Sequence, residues 1–428
     1  MIIAIDLTSL DDNFTGIERY ALNMALELIK AEAGNSFELI FKNQVFPDFK
    51  QYESQENIHF HILPGCSKLM FNQWRLPRFL NRMNADYYLF FAFPMPILLR
   101  KKHVLSTIHD LGCWDCPETM KTQMVWYFRL SYRWAVRHAE RTITVSEFSK
   151  SRIQQILHVP EEKILVTYNG VTGKFLIEEG KIQTSVSEAS VESDAGVLKN
   201  YYEYNKNNRG SAAKDHTRLR EKYHLPDEYM LCLSTLEPRK NMTLLLNAYL
   251  DLYRQGRIKT KLVLAGRKGW KIDELLREAG TVEPVISSET ASGTTEATGI
   301  SEETGAMSVY VTVTGFIDDD DLPEVYRMAK YFVFPSIYEG FGIPPLEAMS
   351  QGVPVISSDA TSMPEVLGDA PLYFKSGDEE DLKRAILKME SLDDKERADR
   401  AAAGLRQSKK FRYGLEAEKV RKFINGIV

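Results

Sequence analysis

YFVFPSIYEGFGIPPLEAMSQG, residues 331–352, is the stretch on which the reading of the fold turns. YFVFPS is a short apolar and aromatic run closed by Pro335, which reads as a buried strand. The residues after it then lie at the strand's C-terminal edge: Glu339, followed by Gly340 and Gly342, which remove side-chain bulk where a backbone must approach a ligand. Pro344 and Pro345 suit a first helical turn, whose amides lack partners in any case. PLEAMSQ continues for about two turns and stops at Gly352. A strand, a glycine loop and a helix in that order put Glu339 beside a positive helix end that favours an anion such as a diphosphate. Glu347, inside the helix, can accept two hydrogen bonds from a vicinal diol.

Working outward, strand-like runs alternate with amphipathic helical stretches along the whole chain, the pattern of α/β layers with parallel sheets. In the first half MIIAIDL, SFELIF, IHFHIL, DYYLFF, HVLSTIHD, RTITVS and KILVTYN read as strands, with GIERYALNMALELIKAEAG, QMVWYFRLSYRWAVRHAE and SEFSKSRIQQILHV as helices. The second half runs from EYMLCLSTL through KNMTLLLNAYLDLYRQG, TKLVLAG, VYVTVTGF, LPEVYRMAK, YFVFPS, PLEAMSQG and VPVISSD, and closes on strongly helical sequence. At 428 residues the chain is too long for one core of common size. The expectation is two Rossmann-like domains facing each other across a cleft: an N-terminal domain at 1–178, a linker or insertion at 179–217, a C-terminal domain at 218–409, and a last helix at 410–428 packing back on the first domain. The linker is polar and poor in apolar periodicity, and a second biased piece, SSETASGTTEATGISEETGAMS, reads as a solvated loop.

Open parallel sheets bind ligands beyond the C-terminal ends of their strands, so the chemistry belongs just after strands. Arg239 and Lys240 follow EYMLCLSTL, where two adjacent cations can bind a diphosphate, Arg by its fork and Lys as a point charge. His109 ends HVLSTIH, in a position to hydrogen-bond a ligand or handle a proton near neutral pH, with Asp110 as its orienter or a helix cap. Gly16 lies in the loop before the first helix and can admit phosphate or acceptor at that helix's N-terminus. Glu147 opens a helix beside Ser146 and Ser149, so a helix-start role and a ligand contact stand side by side.

Composition excludes other classes. A net charge of −5 argues against general nucleic-acid binding. MIIAIDLTSL has no basic start and meets Asp6 at once, as a first buried strand does and a signal peptide does not. The longest apolar run, YYLFFAFPMPILL, contains two prolines and falls short of the roughly 20 residues a membrane helix needs. Four cysteines suit a reducing, cytoplasmic setting without a disulfide framework. Cys113 and Cys116 form a C-x-x-C in what reads as a loop, and no second ligand pair follows at metal spacing. Asp318 to Asp321 read as surface and helix start, with no metal role. LMFNQWRLPRFLNRM, 69–83, mixes Trp74, Leu76, Phe79 and Leu80 with Arg75, Arg78 and Arg82, which fits either a packed surface helix or a peripheral contact with the inner face of a membrane.

EGFGIPPLEA, with its two glutamates eight positions apart, resembles the signature of retaining glycosyltransferases of family 4, which have the GT-B fold. STLEPRKN, VTGFIDDDDLPEVYRMA, GVPVISSDATSMPEVLGDAPLYF, STIHDLG and TVSEFSKSRI fall where that family has them, so the likeness spans nearly the whole chain outside the two biased pieces. The resemblance implies an acceptor-side first domain and a nucleotide-sugar-binding second one. It implies His109, Glu339, Arg239 and Lys240 as catalytic residues, with His109 on the transferred sugar and the two cations on the leaving diphosphate. Gly16, Phe316, Gly340, Phe341, Gly342, Ile343 and Glu347 would bind the donor, with the base near Gly315–Ile317. It implies no cofactor and no bound divalent metal. STIHDLGCWDCPE is similar to the subgroup that moves mannose or rhamnose in surface polysaccharide and O-antigen assembly, which puts GDP-mannose first as donor and leaves UDP-glucose, UDP-N-acetylglucosamine and dTDP-rhamnose open. The acceptor would be a hydroxyl of a glycan or a lipid-linked oligosaccharide. Attack from the leaving group's own face is expected, because no second carboxylate stands as a covalent nucleophile. The rivals are a sugar-nucleotide epimerase of the same fold and a non-catalytic sugar-nucleotide-binding assembly protein. A dehydrogenase is disfavoured, since no G-x-G-x-x-G follows the first strand.

Overall fold

The computed structural model describes residues 1–10, 15–32, 34–65, 67, 70–175, 211–235, 237–267 and 311–427. Both sequence-biased pieces fall largely outside them. The first half folds on a seven-stranded sheet of β1 (Ile2–Asp6), β2 (Ser36–Lys42), β3 (Ile58–Leu63), β4 (Tyr87–Phe90), β5 (Val104–Thr107), β6 (Arg141–Thr144) and β7 (Ile164–Val166), in the order β3-β2-β1-β4-β5-β6-β7. The second folds on β8 (Tyr229–Leu233), β9 (Lys261–Ala265), β10 (Val311–Gly315), β11 (Tyr331–Phe334), β12 (Val355–Ser358) and β13 (Leu372–Phe374), in the order β10-β9-β8-β11-β12-β13. Every pairing described is parallel. Central strands such as β5 and β11 are buried along their whole length, which is why they read as continuous apolar runs without alternation.

Helices of eight or more residues cover the sheets: α1 (Gly16–Ala31), α2 (Thr122–His138), α3 (Glu147–Leu157), α4 (Ser211–Tyr223), α5 (Met242–Arg254), α6 (Ile343–Ser350), α7 (Glu379–Ser391), α8 (Asp394–Ser408) and α9 (Tyr413–Ile424). α9 leaves the second lobe and lies along α1 of the first. Two bonds from the first lobe's backbone tie it there, Val171 N donating to Phe411 O just before the helix at 3.0 Å and Tyr168 N to the side chain of Glu416, Oε2, at 3.0 Å.

Three local expectations change. The linker expected to 217 ends earlier, because α4 starts at Ser211; Leu219 and Tyr223, four apart on its face, are buried. The three-residue β13 was not read as a strand. The pair Cys113 and Cys116 does not lie in a loop: Gly112–Asp115 is a helical turn, both thiols are buried and unbridged, and burial pushes Cys113 up to about 12, so neither is a ready thiolate.

Each sheet reverses its strand order once, between β1 and β4 and between β8 and β11. Those reversals mark where open parallel sheets leave a crevice beyond the strand ends. The loops after β8 and β11 carry Arg239 with Lys240 and Glu339, and face the loops after β1 and β5, which carry Gly16 and His109.

Candidate active site

A cavity of ≈ 420 Å³ lies between the lobes, and all eleven candidate residues line it: Gly16, His109, Arg239, Lys240, Phe316, Glu339, Gly340, Phe341, Gly342, Ile343 and Glu347. Two polar atoms of its lining residues, Asn169 Oδ1 and Ser234 Oγ, are buried with no hydrogen-bond partner among the described residues.

The loop after β11 is fixed from two sides. Ile337 N donates to Arg239 O at 3.0 Å, which ties it to the turn after β8, and Glu339 N donates to Thr361 Oγ1 at 3.0 Å. Glu339 is buried, with Ser336 Oγ donating to its Oε1 at 2.7 Å, Lys240 Nζ bonded to the same oxygen, and Arg239 Nη1 at 3.4 Å from Oε2. Burial pushes this carboxyl up, but Lys240, Arg239 and Ser336 outweigh it and hold the group below the usual carboxylate range. Arg239 reaches Glu237 Oε1 through Nε at 3.3 Å and Nη2 at 3.2 Å, while Nη1 donates to Tyr338 O at 2.9 Å. Its fork, expected on a diphosphate, is thus engaged by Glu237, Glu339 and the Tyr338 carbonyl.

Gly342 begins α6 with φ +95, and Pro344 and Pro345 occupy its first turn. The prolines supply no N–H, so the backbone donors this corner can offer lie at Gly340–Ile343. No acidic residue stands in that first turn, which leaves the positive end of α6 uncompensated. The start of α1 differs. Thr15 and Glu18 form a capping box there, and Gly16 sits tightly against α6, where an added Cβ would lie 3.1 Å from Ile343 Cδ1. Gly16 therefore serves close approach of two helix ends, and α6 is the better anion seat.

Glu347 is buried, and its carboxyl is raised by that burial despite Arg19 and Tyr326. Arg19 Nη1 donates to Oε1 at 2.7 Å and Tyr326 OH to Oε2 at 3.1 Å. Arg19 was not singled out in the sequence, where it is one cation on an amphipathic helix. Gly266, with φ +123, also lines the cavity unpredicted, although a glycine closing β9 carries the same signal that pointed to the other strand ends. Arg267 lies over the exposed ring of Phe316, 5.0 Å to the centroid, and the two form one wall where a base was expected.

His109 Nε2 lies 2.9 Å from Phe91 O, and burial lowers the imidazole to about 4, leaving it neutral near pH 7. Burial therefore disfavours the imidazolium here, which favours the hydrogen-bonding reading of His109 over a proton-handling one. Asp110 Oδ1 accepts from Gly112 N at 2.9 Å, an Asx-type turn leading into the helical turn Gly112–Asp115, whose N-cap is Leu111. Glu147 does not line the cavity; its N–H and that of Phe148 donate to Glu365 of the other lobe at 2.7 and 3.0 Å, so it marks a helix start. The acidic run is not all surface. Asp321 is buried and held well below the usual range despite burial by Arg218, Lys222 and Tyr223, and Asp319 pairs with Arg19 at 2.5 Å.

Residues 14–172 match the family described as Glycosyltransferase Family 4, and residues 215–407 match Glycosyl transferases group 1. The chain is 31% identical over 411 residues to the O-antigen chain mannosyltransferase B of Escherichia coli, covering 93% of each. Among solved structures it resembles Anabaena Alr3699/HepE in complex with UDP-glucose, with TM-score 0.64, 15% identity and 100% of both chains covered. It also resembles WaaG, a glycosyltransferase involved in lipopolysaccharide biosynthesis, with TM-score 0.61, 15% identity and 100% of both chains covered. At such identities the two structures speak for the fold alone.

Proposed function

Since the chain belongs to the family 4 glycosyltransferases and has their GT-B fold, we propose that it transfers mannose from GDP-mannose to a hydroxyl of a growing surface polysaccharide, with retention at the anomeric carbon. The observation that carries the chemistry is the convergence of Arg239, Lys240, Glu339 and Glu347, drawn from the ends of two adjacent strands, in one cleft between the lobes. The mannosyl donor is supported by the mannosyltransferase of E. coli that matches 93% of the chain. An epimerase or a silent binding protein has no comparable support.

The division of labour follows from the geometry. As the glycosidic bond to the pyrophosphate breaks, negative charge grows on the leaving oxygens, and Lys240, Arg239 and the start of α6 offer fixed positive charge there. Glu339, ionised and buried, offsets the positive charge that grows on the sugar ring and accepts hydrogen bonds from its hydroxyls. Glu347 accepts the ribose diol, and Phe316 with Arg267 flanks the base. Neutral His109 takes part in hydrogen bonding to the sugar, with no proton to give at neutral pH. The acceptor's proton leaves toward the pyrophosphate oxygen on the face the donor vacates.

The acceptor side faces an anionic membrane in this reading, which suits a lipid-linked acceptor. Among the described residues, six of the eleven exposed large apolar side chains, Met70, Trp74, Leu98, Met124, Trp126 and Leu130, lie on segments 70–83, 94–104 and 119–139. These segments carry three, three and four Lys or Arg residues and no Asp or Glu, in a chain of net charge −5. They are stitched into one surface: Gln73 donates to Tyr127 OH at 3.1 Å and accepts from Ile97 N at 3.0 Å. Apolar and Trp side chains among cations suit the boundary of an anionic lipid surface.

The test is a panel of GDP-mannose, UDP-glucose, UDP-N-acetylglucosamine and dTDP-rhamnose, read by slow donor hydrolysis and thermal stabilisation. GDP-mannose should be turned over and should raise the melting temperature most. Preference for a uridine donor would overturn the donor assignment, and no response to any would overturn the site.

A further inference from the structure

The role given to Glu347 leaves its principal neighbour unexplained. Arg19 stands in the first turn of α1, in the N-terminal lobe, and reaches across the cleft to two acids of the other lobe, Glu347 at 2.7 Å and Asp319 at 2.5 Å. The Arg19–Glu347 pair is almost wholly out of solvent, the two side chains being 16% and 4% exposed. The groups that face this carboxylate are Arg19 from α1, Asp319 from the loop before Leu322, Tyr326 from the short helix Leu322–Met328, and Tyr413 from α9. Arg19 is the one cation among these residues. A carboxylate offers about four acceptor positions, of which Arg19 and Tyr326 fill two and leave two.

We propose that Arg19 is a positioning residue for donor binding: clamping Glu347 from the opposite lobe, it keeps that carboxylate charged and turned so that its two remaining acceptor positions receive a nucleoside's vicinal diol. The inference rests on the reading of Glu347 as the ribose seat. It carries a consequence for the lobes. The diol seat is complete only when α1 has come up against α6, so donor affinity reports lobe closure. A carboxyl this deeply buried and deprived of its cation takes up a proton, and a protonated acid both loses acceptor capacity and presents a hydrogen to the diol. Lysine in place of Arg19 would keep the charge but could not fork to Glu347 and Asp319 together.

The experiment measures donor KM and kcat between pH 6 and 8.5 for the wild type, R19Q, R19K and E347Q. R19Q should raise the donor KM roughly tenfold at pH 7, the scale of one charge-assisted hydrogen bond, with kcat changed less. Its KM should fall as pH rises and Glu347 ionises unaided, along a slope steeper than the wild type's. R19K should restore most of the wild-type slope. E347Q should raise KM without that pH dependence, and R19Q/E347Q should be no worse than E347Q alone. An R19Q profile parallel to the wild type's, or an unchanged KM, overturns the role of Arg19. A wild-type KM in E347Q overturns the underlying assignment of Glu347 instead. Melting curves establish that the variants fold, and R19M, which keeps the apolar stem, replaces R19Q if that variant does not.

Discussion

Gly340→Ala is the substitution for which the structure gives the most direct magnitude. A Cβ at position 340 would lie 2.4 Å from the carbonyl oxygen of His109, 3.0 Å from Asp110 Cβ and 3.1 Å from His109 C. The closest atom is backbone, and Ser149 Oγ donates to that same carbonyl at 3.1 Å, so it has no rotamer by which to retreat. Ordinary C···O contact needs about 3.3 Å, so a gap of about 0.9 Å has to open. Gly340 belongs to one lobe and His109 to the other, and the softest coordinate joining them is the separation of the lobes. Displacing reacting groups by about 1 Å costs on the order of 100-fold in rate. Arg239, Lys240 and Glu347 all sit on the same lobe as Gly340, so most of the donor's seat moves with it.

Gly340→Ala should therefore lower kcat by roughly 100-fold and also raise donor KM, because parting the lobes draws Arg19 off Glu347, while melting temperature changes little. Gly342→Ala is the contrasting control. Its Cβ would meet Met363 Cε at 2.3 Å inside the C-terminal lobe, at φ +95, so the damage is local strain of about 1–2 kcal/mol and should show in the melting temperature. The assay is release of nucleotide diphosphate from the preferred donor at saturating acceptor, with melting curves in parallel. Wild-type kcat in a folded Gly340→Ala protein would refute the argument, because the lobes could not then approach in catalysis as closely as they do here.

Glu339→Gln should lower kcat by roughly 100-fold and leave donor KM at or below the wild-type value, since the lost charge opposes the pyrophosphate before the bond breaks; a raised KM with normal kcat would contradict this. Asp6 is a carboxyl whose burial lifts it to about 6 against two hydrogen bonds from Thr8. Its folded value exceeds the unfolded one, so the fold binds the extra proton between pH 4 and 6 and loses stability as pH rises through that window. Asp6→Asn should then be more stable than the wild type by up to about 3 kcal/mol at pH 7 and by little at pH 4, and urea unfolding showing equal differences at both would contradict it. Sedimentation with phosphatidylglycerol vesicles should capture the wild type at low salt and lose it on Trp126→Ala/Leu130→Ala or Arg75→Gln/Arg78→Gln; equal capture of all forms would reject the lipid-facing surface.

What could be read in the sequence follows what sequence encodes locally. The β11 corner was legible because a buried strand, three glycines, three prolines and two glutamates fall within 22 consecutive residues, each constraining the next. Three-residue β13 was not, since Leu372–Phe374 is too short for any periodicity to show. Ser211–Tyr223 was hidden inside a polar stretch because its buried face is only two residues wide in the described part. Arg19 could not be found by spacing at all, as its partner Glu347 lies 328 positions away and nothing local distinguishes it from the other charges of α1. His109 was placed correctly at a strand end, but its residue type suggested titration near neutral pH, and desolvation, which depends on what packs around the ring, reversed that.

The charges around the pyrophosphate seat explain why the site is built from cations already in ion pairs. Arg239 and Lys240 bring two positive charges, and Glu237, Glu339 and Asp110 stand within 4 Å of them with three negative ones. Side chains alone would thus make this corner weakly repulsive to an anion, yet two unpaired cations buried here would be costlier still in the empty protein. The difference is supplied by the start of α6, whose own first turn carries no acidic side chain. Lys240 holds Glu339 with one of three N–H groups, and in the proposed function it turns the others toward the leaving oxygens while Ser336 keeps Glu339 pinned beside the sugar. On that proposal, the acid that weakens pyrophosphate binding in the ground state faces the positive charge that grows as the bond breaks. An arrangement of that kind gives up donor affinity in exchange for transition-state stabilisation, the direction in which binding raises turnover.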